Sequence, residues 1–128
     1  MIVLLNTSTP LCALTVIDGD QRFHDEWQAD RTLAKGLLAY LQARLQIHGA
    51  TLADITGIGV FEGPGSFTGL RIGLTVMNTI ADSEQIAIVG ARGDGWERLA
   101  LEKLRAGQDD KIVLPFYGSE AHITTPRK

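Results

Sequence analysis

Gly63-Pro64-Gly65-Ser66-Phe67-Thr68-Gly69-Leu70-Arg71-Ile72-Gly73 places four glycines, a proline and two hydroxyls within eleven residues. An apolar run, Ile58-Gly59-Val60-Phe61, precedes it, and a helix-period pattern from Leu70 to Ala81 follows. The order is strand, tight turn, helix start. Two kinds of chemistry suit such a turn. Free N–H groups at a helix start can cradle an anion. Glycines also let another stretch of backbone approach closely. The stretch lacks the Gly-Lys-Ser/Thr ending of a P-loop and is not Gly-x-Gly-x-x-Gly, so no lysine is placed for a nucleotide phosphate.

The other candidate groups are scattered. Asn6-Thr7-Ser8-Thr9 sets hydroxyls beside a strand end, but asparagine lacks the carboxylate charge that a magnesium-bound nucleotide favours. A capped turn is the simpler reading. His24, His48 and His122 show no metal-ligand spacing. Cys12 lies mid-strand with no base beside it. Ser66 is not in a Gly-x-Ser-x-Gly elbow. Asp18, Asp20, Asp25 and Glu26 fall on a solvated turn and edge. Glu62 is the one carboxylate placed beside the glycine turn, and one carboxylate is not an acid–base pair. The residues offer no catalytic set, no metal site and no cofactor motif.

These groups sit on a chain of 128 residues, enough for one domain with its own core. Hydrophobic residues are 45%, charged residues 21%, and the net charge is −3. That balance supplies no basic surplus for holding nucleic acid directly. A single cysteine excludes an internal disulfide and fits a reducing compartment. No apolar run is long enough for a membrane span. The opening Met1-Ile2-Val3-Leu4-Leu5-Asn6 reads as a strand rather than a signal peptide. Cytoplasmic residence is the expectation.

The pattern predicts strands at Ile2–Asn6, Leu11–Ile17 and Arg22–Trp27, with Asp18-Gly19-Asp20 as a hairpin turn. A helix is expected over Arg31–Ile47, capped by Asp30. A fourth strand at Ile58–Phe61, a helix at Phe67–Asp82, a fifth strand at Ile86–Val89 and a helix at Gly93–Gly107 follow. Ile112–Leu114 suggests a last strand. Hairpin, then alternating helix and strand, predicts an α/β fold: a mixed sheet flanked by helices, with parallel right-handed crossovers. Both long helices carry an apolar arc roughly twice the ~100° that one packing surface needs. The extra face is covered either by the other helix or by a partner.

The eleven-residue motif, with the opening Ile2-Val-Leu-Leu-Asn-Thr-Ser-Thr9 and the spacing from Leu37 to Ile58, resembles the TsaB (YeaZ) family. The resemblance implies a single ribonuclease-H-like lobe of the actin-like ATPase class with a mixed five-stranded sheet. It implies a non-catalytic scaffold in making threonylcarbamoyladenosine beside the tRNA anticodon, paired with a TsaD-like transferase. A TsaE-like ATPase would bind that pair, tRNA would be met only through the complex, and the chain alone would self-associate as a homodimer. The partner surface would lie on the two long helices, at Leu33, Leu37, Leu41, Leu45, Leu70, Leu74 and Met77, with Arg71 at its rim. The turn Gly63, Pro64, Gly65, Ser66, Phe67, Thr68, Gly69, Arg71 and Gly73 would set the second helix. Asn6 stands where the wider class has aspartate. Residues 1–110 are expected to form the lobe, with 111–128 a short remnant or tail in place of a second lobe.

Two other readings stay open from the residues. One is a nucleotide- or phosphate-binding enzyme using the Gly63–Gly73 loop and the Thr7–Thr9 turn. The other is a degenerate homodimeric family member with no tRNA role.

Overall fold

Ile2-Val3-Leu4-Leu5 is apolar at every position, so it suits a strand buried on both faces. In the structure, a computed structural model that describes residues 1–116, this run is β1 (Ile2–Asn6) at the centre of the sheet. β2 (Leu11–Asp18) and β3 (Gln21–Gln28) form the hairpin, antiparallel to each other, and β2 is antiparallel to β1. α1 (Leu33–Ile47) crosses to β4 (Gly57–Gly63), which runs parallel to β1. α2 (Phe67–Glu84) leads to β5 (Ala87–Arg92), parallel to β4, and α3 (Trp96–Arg105) follows. The strand order is β3-β2-β1-β4-β5, the expected five-stranded mixed sheet.

The sheet divides two cores. Val3, Leu5, Leu14, Val16, Ile58, Val60 and Ile88 meet the helices α1 and α2 on one face. Leu4, Val89 and Ala91 meet Ala100 and Leu101 of α3 on the other. Strand alternation explains the division, since neighbouring residues of β1 point to opposite faces.

Several expectations change. Asp30 does not cap α1: its φ is +48°, and a 3-10 turn over Asp30–Thr32 comes first. Ile112–Leu114 is not a strand, and the chain there runs beside the sheet edge as irregular backbone. The largest correction concerns Leu33, Leu37, Leu41, Leu45, Leu70, Leu74 and Met77. All seven are buried within this chain, none more than 5% exposed. They face the sheet, because the strip at i, i+4, i+8 of α1 and at i, i+4, i+7 of α2 is what closes the core. In this chain they are core side chains rather than an exposed surface. The expectation of a short remnant or tail over 111–128 falls partly, from residue 117 onward, outside the described residues.

Candidate functional site

The glycine turn begins where β4 ends. Ser66 caps α2, its hydroxyl oxygen accepting from the Gly69 N–H at 3.2 Å. The Ser66 N–H donates to the Ser8 carbonyl at 2.8 Å, and the Leu70 N–H donates to the Ser66 carbonyl at 2.9 Å. The Thr7 hydroxyl, on a residue 3% exposed, donates to the Gly69 carbonyl at 2.8 Å. Asn6 Oδ1 accepts from the Ser8 N–H at 2.9 Å, so the asparagine shapes its own turn.

The glycines explain the docking. A Cβ at Gly65 would strike Ser8, one at Gly69 would strike the Thr7 carbonyl, and one at Gly73 would strike the Thr7 side chain. Gly63, at φ +127°, would strike the Phe116 carbonyl. Gly65, Gly69 and Gly73 recur every four residues, so they form one bare seam on which the Thr7-Ser8 backbone lies. Of the two chemistries that suit the motif, the geometry realises close backbone approach. Pro64, Ser66, Phe67 and Thr68 are exposed beside the seam. The Arg71 guanidinium lies over the Phe67 ring, 5.1 Å from its centroid.

The seam fixes how α2 leaves the sheet, and with it a second helical face. Ala34 of α1 and Thr68, Arg71, Ile72, Thr75 and Val76 of α2 line an outward groove of about 420 Å³. Leu38, one turn beyond Ala34, is 45% exposed. The sequence carries a signal for this face as well as for the buried one. Two apolar stripes share each helix: Leu33/Leu37/Leu41/Leu45 beside Ala34/Leu38, and Leu70/Leu74/Met77 beside Ile72/Val76. Periodicity reports that both exist, not which one meets the sheet.

The remaining reactive groups are engaged within the fold. Glu62 Oε1 pairs with Arg92 Nε at 2.6 Å, and Arg92 lies over the Phe116 ring at 3.8 Å. Cys12 is 1% exposed, and burial, reinforced by the charge of Asp25, pushes its thiol up to about 11. Burial first, then a hydrogen bond to Asp25, raises the Tyr40 phenol above its ordinary range. His24 contacts Thr15 Oγ1 at 3.0 Å and Glu26 at 3.1 Å, while Thr15 also donates to Glu97 at 3.0 Å. The His48 ring lies tilted against Phe23, centroids 4.2 Å apart, and His122 lies outside the described residues. Among the described residues no three His, Cys, Asp or Glu side chains gather as metal ligands, and no helix is long and apolar enough to cross a membrane.

A family model described as TsaD, tRNA N6-adenosine threonylcarbamoyltransferase, matches residues 27–92. The chain is similar to the tRNA threonylcarbamoyladenosine biosynthesis protein TsaB of Escherichia coli (strain K12), 31% identical over 90 residues. That match covers 70% of this chain and 38% of the relative. The Haemophilus influenzae protein of the same name is 27% identical over 88 residues, covering 69% and 37%. The chain therefore spans well under half the length of these relatives. Among solved structures it is similar to YeaZ from Pseudomonas aeruginosa, with a TM-score of 0.68 at 25% identity, covering 83% of this chain and 49% of that one. A second structure, described as an uncharacterized protein with similarity to peptidase YEAZ from Pseudomonas aeruginosa, gives a TM-score of 0.69 at 26% identity, covering 81% and 47%. These matches show the family: the chain belongs to the TsaD family, in its TsaB (YeaZ) form, and has the ribonuclease-H-like lobe of the actin-like class.

Proposed function

We propose that this chain is a non-catalytic scaffold subunit in the synthesis of threonylcarbamoyladenosine on tRNA, and that it docks on a TsaD-like transferase through the outward face of α1 and α2. The observation that carries this reading is the groove lined by Ala34, Arg71, Ile72, Thr75 and Val76, with Leu38 beside it. Its floor is apolar and its rim carries Arg71, the arrangement of a helix-in-groove contact. The names of the two TsaB relatives support the process, and the matched family model supports the kinship with a transferase. The non-catalytic assignment is supported by the commitments of the reactive groups: Glu62 to Arg92, Ser66 to its cap, Cys12 to the core. In this reading a TsaE-like ATPase joins the pair, tRNA is met only through the complex, the chain alone forms a homodimer by the same face, and the site of action is the cytoplasm.

The test is co-purification with a TsaD-like chain, read beside the modified nucleoside content of tRNA from cells lacking the gene. Leu38→Asp with Thr75→Asp, both at exposed positions, should abolish co-purification while leaving the melting temperature within a few degrees. A complex that survives both substitutions overturns the assigned face. Unchanged threonylcarbamoyladenosine in the deletion strain overturns the process.

A further inference from the structure

The two edges of the sheet meet their surroundings in different ways. β3 carries Arg22, His24, Asp25 and Glu26 within its eight residues, and charge on an edge strand discourages a second strand from adding. β5 reads Ala-Ile-Val-Gly-Ala-Arg, with no charge before Arg92. An apolar edge with open N–H and C=O groups is a template for pairing. Among the described residues nothing forms a strand beside it.

Its outward backbone groups are nevertheless engaged. The Ile88 N–H donates to Asp109 Oδ1 at 3.1 Å, and the Ile88 carbonyl accepts from the Asp110 N–H at 2.8 Å. The Gly90 N–H donates to Asp110 Oδ2 at 3.0 Å, and the Gly90 carbonyl accepts from Lys103 Nζ at 2.7 Å. Two carboxylates, one amide and one ammonium thus occupy the positions a sixth strand would fill. The ammonium comes from Lys103 of α3, and the segment that brings the carboxylates and the amide is pinned further along. Asn78 bonds Val113 in both directions at 2.9 Å, Val113 is 3% exposed, and the Phe116 N–H donates to the Glu62 carbonyl at 2.7 Å. Side chains satisfy the edge without presenting a new ladder, so pairing stops there.

We propose that residues 109–116 guard the β5 edge against the β5 of a second copy of this chain. The occupant follows from the strand itself. Turned about a two-fold axis, β5 offers Ile88 and Gly90 reciprocal antiparallel partners of the same apolar character. That contact is separate from the outward face of α1 and α2, on which the proposed function rests.

Amide hydrogen exchange at Ile88 and Gly90, measured over a range of protein concentration, tests this. In the unaltered chain both amides are protected at every concentration. In Asp109→Ala/Asp110→Ala, dilute protein should exchange at these two amides about tenfold to a hundredfold faster, as expected for lost charge-assisted bonds. Raising the concentration should restore their protection as copies pair through β5, seen in sedimentation as mass beyond that of the unaltered chain at the same concentration. Asp109→Asn/Asp110→Asn keeps the acceptor oxygens and should behave as the unaltered chain. If the alanine pair does not fold, the single Asp110→Ala variant should accelerate Gly90 selectively and regain its protection with concentration. Exchange that is unchanged, or faster at every concentration alike, overturns the proposal.

Discussion

Gly73→Ala separates the two physical accounts of the glycine seam by the sign of its effect. Gly73 lies inside α2, where alanine is worth about 1 kcal/mol more than glycine by helix propensity alone. Against this stands Thr7. A Cβ at position 73 would strike Thr7 Oγ1 and come within 2.9 Å of Cγ2 and 3.0 Å of Cβ. Because Thr7 Cβ is itself in the way, rotating the side chain does not clear the space. Overpacking of this kind costs about 1–3 kcal/mol. Displacing Thr7 also weakens its bond to the Gly69 carbonyl, worth about 0.5–1.5 kcal/mol. The terms combine to a loss of about 2 kcal/mol, or a melting temperature roughly 5–10 °C lower. Thermal unfolding followed by circular dichroism reads it. Thr7→Ala removes Oγ1 and Cγ2, so the double variant should be more stable than the sum of the singles by about 1 kcal/mol. A Gly73→Ala variant that melts higher than the parent refutes the seam, because propensity would then be the only term acting.

Leu37→Ala, at a side chain 0% exposed, should cost about 2–5 kcal/mol in the isolated chain, whereas Leu38→Asp one residue later should cost under about 1 kcal/mol there and act only on partner binding. Comparing melting temperature with co-purification for the two variants checks the reassigned helical face. Asp109 is held below its ordinary carboxylate range, first by the Ile88 N–H and then by the Lys111 N–H. A depressed carboxylate contributes stability above its unfolded value of about 4, and that contribution is lost as the pH falls through the lower folded value. Asp109→Asn should therefore reduce the drop in melting temperature between about pH 5 and pH 2. Cys12, buried and with its thiol pushed up to about 11, should resist a thiol reagent at pH 8 in the folded chain and react fully once denatured. Reaction of the native protein at the denatured rate would contradict the assigned burial.

What could be read from the residues alone follows the range of each signal. β1 and the hairpin were legible because a continuous apolar run and an Asp-Gly turn act over a few neighbours. The buried strips of α1 and α2 were legible as strips, but their direction was not. Leu37 and Leu38 are both leucines on the same helix, and only the position of the sheet makes one core and the other surface. The role of Gly65, Gly69 and Gly73 was half legible. Their fourfold spacing marks a bare face, yet what fills it, Thr7 and Ser8, lies more than fifty residues earlier. The segment beside β5 was misread as a strand at Ile112–Leu114 for a related reason. Its apolar Val113 does enter the core, but its backbone is held by Asn78, and Asp109 and Asp110 just before it accept from the Ile88 and Gly90 N–H groups, long-range contacts with no local periodicity. The same logic ties the site together. The glycine seam locks the first turn against α2, and that lock sets the angle at which Ile72 and Val76 stand beside Ala34. A substitution at the seam should therefore weaken partner binding even where it touches no partner atom, because the groove is only as well defined as the helix start that orients it.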